Sequence, residues 1–307
     1  MTARLKHLWT KTLDWIAFVA ATVVFSVGAL FPMALRRRMF VAIFARVFAP
    51  LMGWPKRIGT NLSFAMPKIP ASQHDQIARQ NCRNLGATLF EIFIPAYTRK
   101  LAQQAQIMGP GADAITRAIT DKTPVILVSG HFGNYDIIRS KMIANGVDLG
   151  GLYRPLNNEW LNKTYVRAIS QTGTPLFPRD KAGFTDMLKH IKRGGSVALL
   201  IDQHMDKGLP VTFFGKTAYS SGSAAQLALK HNRPLIPIYA IRQSNGREFM
   251  IWVDTPIAPS DPTKMTQELN DSLERVVRDN IDQWAWPHKR WKVNRREGIL
   301  ISTSTMS

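Results

Sequence analysis

Residues 124–136 read PVILVSGHFGNYD, and this stretch decides the fold. The run PVILVS is apolar almost without interruption, the mark of a strand buried on both faces, as strands of parallel sheets are. Gly130 permits a sharp turn, and a helical pattern follows over residues 133–145. Working outward, the same alternation recurs. Strands are predicted over 147–153, 196–201 (SVALLI), 234–241 and 248–253, with helices over 157–171, 182–192 and 223–231. Upstream, residues 74–106 read as helix broken near Pro95, then a turn at 109–111 and a short helix to about Asp121. Downstream, Met265, Leu269, Leu273, Val276, Val277, Ile281 and Trp284 form one apolar stripe at helical spacing over 263–284. The pattern predicts an α/β fold, a mixed β-sheet flanked by helices on both faces. No internal repeat and no long low-complexity linker interrupts it.

The N-terminal part has a different composition. Residues 15–35, WIAFVAATVVFSVGALFPMAL, are 21 residues without a charge. As a helix rising about 1.5 Å per residue they reach roughly the thickness of a bilayer core. Arg36–Arg38 follow, and no small-residue cleavage site of a signal peptide is present. The stretch predicts an N-terminal membrane-anchor helix, with a buried hairpin of core helices as the alternative. Residues 39–51 are again apolar but too short to span, and read as an interfacial or core helix. The organisation expected is therefore a membrane-anchor and interfacial region at 1–57 and a catalytic domain at 58–307.

Charge narrows the partners. The 307 residues carry a formal net charge of +19, which calls for a polyanionic neighbour. Within residues 1–57 nine Lys/Arg face a single acid, Asp14, and they flank the most apolar sequence in the chain. Basic charge beside apolar sequence fits an anionic membrane surface. No RNA-binding aromatic motif or helix-turn-helix pattern is recognisable, so nucleic acid is not an expected partner. Cys82 is the only cysteine, which excludes an intramolecular disulfide and a cysteine-rich zinc site.

His131 and Asp136 stand out chemically. The strand–turn–helix reading places His131 at the carboxyl end of a strand, where open α/β sheets bind ligands, and Asp136 in the first helical turn. A carboxylate on one imidazole nitrogen fixes the tautomer and leaves the other nitrogen to take a proton. No Gly-x-Ser-x-Gly elbow supplies a nucleophile, so such a base suits direct activation of a substrate hydroxyl. The plain alternative is a surface histidine near a helix start, with Asp136 favourable at its positive end.

GHFGNYD resembles the H-x4-D/E motif of glycerolipid-type acyltransferases, and its surroundings are similar to the bacterial lipid A biosynthesis (lauroyl/myristoyl) acyltransferase family. Matching blocks come in family order: YRPLNN at 153–158, FPR at 177–179, LLIDQ at 199–203, VTFFG at 211–215 and QWAWPHKRW at 283–291. With the anchor they cover nearly the whole chain to about residue 292. Asp136 stands where many members carry Glu. The resemblance implies an acyltransferase of the inner membrane, its catalytic domain facing the cytoplasm. His131 would deprotonate a hydroxyl on a hydroxyacyl chain of a lipid A precursor, oriented by Asp136. The donor implied is an acyl-acyl carrier protein, with no metal or redox cofactor required. Related acyltransferases acting on another glycolipid, such as phosphatidylinositol mannosides, or on a lysophospholipid share the dyad.

Three further residues are candidate substrate-binding groups. Arg154 follows a strand and suits a phosphate or oxyanion clamp, since its guanidinium keeps its charge and offers paired donors. Arg179 sits similarly after an apolar stretch. Asp202 ends the run SVALLI on the sheet edge expected to carry His131, and either supports Arg154 or Arg179 by ion pairing or caps a turn. Phe213–Phe214 is compatible with the wall of an acyl tunnel, but an aromatic pair reads first as ordinary core and is left out of the site. WAWPHKRWK has the composition of a membrane-interface belt and equally of a segment packing the last helix, with His288 as a rim residue meeting anionic head groups.

Overall fold

The computed structural model of the protein describes residues 3–292. It opens with α1 (Ala3–Gly28) and α2 (Met33–Ile43). A π-helical turn at Phe44–Phe48 leads into the short α3 (Ala49–Leu51) and then α4 (Trp54–Ala65). Next come α5 (Ala71–Ile92), α6 (Pro95–Gln104), β1 (Gln106–Met108) and α7 (Ala112–Thr120). The central part alternates as β2 (Ile126–Ser129), α8 (Asp136–Ala144), β3 (Leu149–Tyr153), α9 (Glu159–Thr172), β4 (Leu176–Pro178), α10 (Lys181–Lys192) and β5 (Ser196–Leu200). A hairpin of β6 (Leu209–Phe213) and β7 (Lys216–Ser220) comes next. The described chain then runs through α11 (Ser223–His231), β8 (Leu235–Arg242), β9 (Phe249–Val253), α12 (Pro262–Asp279) and a 3-10 turn at Ile281–Gln283.

Among the described residues, seven strands form one sheet in the order β1-β9-β8-β2-β5-β3-β4. Neighbours are parallel except β8 and β9. Helices cover both faces, so the α/β expectation holds. On one face Leu101, Ile115, Ile138 and Met142 pack with Leu127 and Ile238. On the other, Met187, Ile191, Ala225 and Leu269 pack with Ile126 and Val128. Successive residues of β2 thus feed opposite cores, which is why the run reads as continuously apolar.

A third core joins the N-terminal helices to the C-terminal segment. Phe44, Ile58, Leu62 and Cys82 pack with Phe213, Phe214, Trp284 and Trp286. α4, at Trp54–Ala65, runs unbroken through residues 57 and 58.

The structure departs from the expected elements in several places. The uncharged run at 15–35 is not one helix: α1 ends at Gly28 and Pro32 caps α2. Proline has no N–H and disfavours helix at the residue before it, so the chain turns there. Among the described residues, the stretch long and apolar enough to cross a membrane is instead Lys11–Gly28 of α1, none of it buried in the fold. Residues 39–51 bend through the π turn onto α5, and Phe40 packs on Phe25 and Phe90 with ring centroids 5.3 and 5.4 Å away. β1 and β4 are three residues each, too short to show a period of two. The β6–β7 hairpin is masked in the sequence by its turn residues. Phe214 (φ 54°) and Gly215 (φ 68°) both take positive φ, which matches strand twist but is usually the place of Asn, Asp or Gly. The last helix stops at Asp279 rather than near 284. WAWPHKRWK is largely interior: Trp284, Trp286 and Arg290 are fully buried, and Trp284 and Trp286 pack on Phe213 and Phe214 at 5.4 and 5.6 Å. These two tryptophans are core, not a membrane belt.

Candidate active site

The register of the two central strands builds the site. Ser129 of β2 pairs with Leu200 of β5. Both chains continue past the sheet edge, so the residue two beyond each, His131 and Asp202, meet side by side. Asp202 is fully buried, and its two oxygens hold His131 twice. Oδ1 accepts from the ring Nδ1 at 2.7 Å and Oδ2 from the backbone N–H at 2.7 Å. Trp284 Nε1 donates to the same Oδ2 at 2.8 Å. Burial would raise the Asp202 carboxyl, but the charge and hydrogen bonds of His131, with His288, hold it well below the usual carboxylate range. A carboxylate only accepts, so the proton of neutral His131 sits on Nδ1 and Nε2 is left as the acceptor. Nε2 faces the Gln203 side-chain amide at 3.4 Å.

The turn itself is tightly specified. Ala285 N–H donates to the His131 carbonyl at 2.8 Å, and Gly133 N–H to the Gln283 carbonyl at 2.9 Å. Gly133 takes φ +53°, and a Cβ there would lie 1.9 Å from the Ala240 carbonyl oxygen, so only glycine fits.

Asp136 does not reach His131. It is buried as the first residue of α8, where Oδ1 accepts from Arg139 at 2.7 Å and Oδ2 from Thr172 at 2.9 Å. Arg139 also donates to the Gly173 carbonyl at 2.9 Å, so Asp136 ties α8 to the end of α9. The expected His131–Asp136 contact is thus replaced by His131–Asp202. The physical reason is that helix geometry offers Asp136 a partner three residues on, while the sheet delivers Asp202 beneath the imidazole. Nor does Asp202 pair with Arg154 or Arg179, as its sequence position suggests; its hydrogen bonds go to His131 and Trp284.

Across the sheet's carboxyl edge, β2, β5, β3 and β4 end near His131, Asp202, Arg154 and Arg179 in turn. Arg154 is exposed and lines a cleft of about 340 Å³ together with His131, Tyr135, Tyr153 and Tyr165. Arg179 is exposed one strand further out, its backbone N–H on the Tyr153 carbonyl at 2.8 Å, and is not among the residues lining that cleft. Beyond the three tyrosines lies a smaller interior cavity of about 60 Å³, walled chiefly by Ile92, Leu127, Ile138, Ile169 and Leu176. Tyr135, Leu152, Tyr153, Tyr165 and Leu200 border both spaces. Burial pushes the Tyr165 hydroxyl up to about 12, so it presents a neutral phenol at physiological pH.

Two residues belong to the site that sequence reasoning set aside. Trp284 grips Asp202. His288 lies edge-on to His131 with ring centroids 4.7 Å apart. Burial, reinforced by His131 and opposed by Asp202, pushes His288 down to about 4, so it is a neutral imidazole rather than a cation for head groups. The one available signal was their shared block, QWAWPHKRW. Among the described residues no group of three or more His, Cys, Asp or Glu is placed to hold a metal ion.

Comparison with known proteins finds one family model over nearly the whole chain and several distant relatives. The model of the bacterial lipid A biosynthesis acyltransferases matches residues 3–293. A phosphatidylinositol mannoside acyltransferase of Mycobacterium tuberculosis is 22% identical over 259 residues, 82% of each chain. A lipid A biosynthesis acyltransferase of Haemophilus influenzae is 20% identical over 244 residues, 77% of each chain. A lipid A biosynthesis palmitoleoyltransferase of Escherichia coli is 18% identical over 237 residues, 76% of each chain.

Proposed function

This chain belongs to the bacterial lipid A biosynthesis acyltransferase family, and we propose that it transfers a fatty acyl chain from acyl carrier protein to a hydroxyacyl group of a lipid A precursor. The observation that carries the reading is His131 itself. Its Nδ1 is committed to a buried carboxylate, Nε2 is the ring nitrogen left to take a proton, and the residue lines a cleft that shares Tyr135, Tyr153 and Tyr165 with a smaller, mainly apolar cavity. Such a base activates a hydroxyl brought by the substrate, and the cavity suits a hydrocarbon chain.

In the proposed step, Nε2 takes the proton of the acceptor hydroxyl as its oxygen attacks the thioester carbonyl carbon. The carbon–sulfur bond then breaks, and the imidazolium returns the proton to the leaving thiolate. Asp202 holds the ring in one tautomer and stabilises its cationic form. Tyr135, Tyr153 and Tyr165 would guide the acyl chain inward, and Arg154 at the cleft rim would meet an anion. Asp136 acts at one remove in this account, by fixing Arg139 and the end of α9.

Arg154 has two candidate tasks that one substitution separates. Lysine keeps the charge but loses the planar fork. If Arg154 attracts an acceptor phosphate, Arg154→Lys raises KM and leaves kcat nearly unchanged; if it stabilises the oxyanion, kcat falls at similar KM. Steady-state kinetics decide, and an Arg154→Ala enzyme within about twofold on both parameters, below roughly 0.5 kcal/mol, has no direct role for Arg154.

By the same reading the protein sits at the inner membrane with its catalytic domain on the cytoplasmic side. α1 is the attachment, and the net positive charge of the chain favours the anionic surface. A chain starting at Met33 is expected to keep its fold, because α2 packs on α5, and to leave the membrane pellet in a high-salt wash. Retention of the shortened chain through that wash contradicts α1 as the main anchor. The Mycobacterium tuberculosis relative favours a second acceptor class, another glycolipid. Acyl transfer assayed on a lipid A precursor and on a mannosylated phosphoinositide distinguishes the two.

A further inference from the structure

Glu91 of α5 is fully buried and stands at the centre of a charged network outside the cleft. Arg242 of β8 grips its two oxygens at 2.6 and 2.8 Å. Arg37 of α2 donates to Oε1 at 3.0 Å, and Asn134 Nδ2 donates to Oε2 at 2.9 Å. Asn134 is itself fully buried, three residues after His131, and its Oδ1 accepts the backbone N–H of Asp136 at 3.1 Å. The network touches the same turn at a second point. Arg242 donates to Thr88 Oγ1 at 3.2 Å, and that hydroxyl donates to the Gly133 carbonyl at 2.6 Å. Arg242 is also held from the far side, since Gln283 bridges its backbone N–H and carbonyl, each at 2.8 Å. Arg37 and Arg242 both reach the Gly246 carbonyl.

Two guanidiniums and one amide converge on a single fully buried carboxylate, where breaking a charged pair is costly. Core burial alone does not call for so elaborate an arrangement at this place. Its polar ends lie on the turn that carries the proton acceptor, and one of its cations comes from the helix directly after the membrane-anchor stretch. Arg37 is the member nearest solvent, its side chain 14% exposed against 0% for Glu91.

We propose that Glu91 is a positioning residue for the His131 turn and that Arg37 locks it in place, so that acyl transfer needs α2 seated against α5. The proposal rests on His131 as the proton acceptor. When α2 is seated, Glu91 is saturated by Arg37 and Arg242 and holds Asn134, which fixes the start of α8 and the height of His131. Without Arg37, Glu91 loses one donor and is drawn towards Arg242, and the turn loosens. Small displacements of a catalytic group cost rate rather than affinity.

The test uses the full chain in vesicles of phosphatidylethanolamine and phosphatidylglycerol. Arg37→Ala is compared with Arg38→Ala, which removes the same charge one residue away at an exposed position, and with Arg37→Lys. Arg37→Ala is expected to lower kcat about tenfold with KM within about twofold. Amide hydrogen exchange over residues 130–136 is expected to quicken, with residues 106–108 unchanged. Arg38→Ala should resemble the wild type, and Arg37→Lys should recover part of the loss through one remaining bond to Glu91. Equal kcat and equal exchange in Arg37→Ala and Arg38→Ala overturn the proposal. So does activity that falls only in step with the folded, membrane-bound fraction, which marks a merely structural contact. A wild type that acylates no lipid A precursor removes the functional reading, while the exchange data still decide whether Arg37 holds the turn.

Discussion

Replacing His131 with alanine is expected to reduce acyl transfer by about 10²–10⁴-fold, the usual contribution of a general base. Fold and membrane association should survive. The ring is 23% exposed at the cleft floor, and its neighbours Tyr135 and His288 touch it only edge-on. No hydrophobic cluster loses a member. The loss should therefore appear in kcat of the folded, membrane-bound enzyme, beyond a modest fall in the thermal transition as buried Asp202 loses its Oδ1 partner. Turnover near that of the wild type removes His131 from the chemistry.

Asp202→Asn is expected to cost about as much, by a different route. Asparagine keeps the shape, but its amide would donate to Nδ1 and force the imidazole proton onto Nε2. The acceptor nitrogen is then blocked, and transfer should fall by about 10²–10⁴-fold. Asp136→Asn separates the two carboxylates. It leaves Arg139 buried without its counter-charge, which typically costs about 3–5 kcal/mol of stability. The variant should unfold at lower temperature, while the fraction that folds keeps its pH–rate profile. The reverse pattern, a stable Asp136→Asn enzyme without activity beside an active Asp202→Asn enzyme, returns the pairing role to Asp136. The depressed Asp202 carboxyl has a linked consequence. Its folded value lies below the unfolded one, so its stabilisation is present above the ordinary carboxylate range and is lost as pH falls towards the folded value.

The alternation of elements was legible because PVILVS and SVALLI are long enough to mark buried parallel strands, and the register between them then comes from ordinary pairing. That His131 lies at a strand's carboxyl end was legible for the same reason. Its partner was not. Sequence proximity favours Asp136, five residues on, whereas contact between His131 and Asp202 depends on β5 lying beside β2, and strand order is not written in local pattern. The run PVILVS–G–H and the run SVALLI–D do share a form, each placing a polar group just beyond an apolar strand. Trp284 and His288 were obscured by composition, because tryptophan mixed with Lys and Arg looks alike at a membrane surface and around a buried carboxylate. The long N-terminal apolar helix was legible in hydropathy, but its end was not, because Pro32 carries no charge and so does not interrupt an apolar run. The Glu91 network was invisible. Arg37, Glu91, Asn134 and Arg242 are far apart in the chain, and only packing brings them together.

The most direct measurement is mass spectrometry of lipid A from cells deleted for this protein, complemented with the wild type or with His131→Ala. The deleted cells should lack one secondary acyl mass, the wild type should restore it, and His131→Ala should not. Lipid A of unchanged mass in the deleted cells, or full restoration by His131→Ala, would contradict an acyltransferase that works through this histidine.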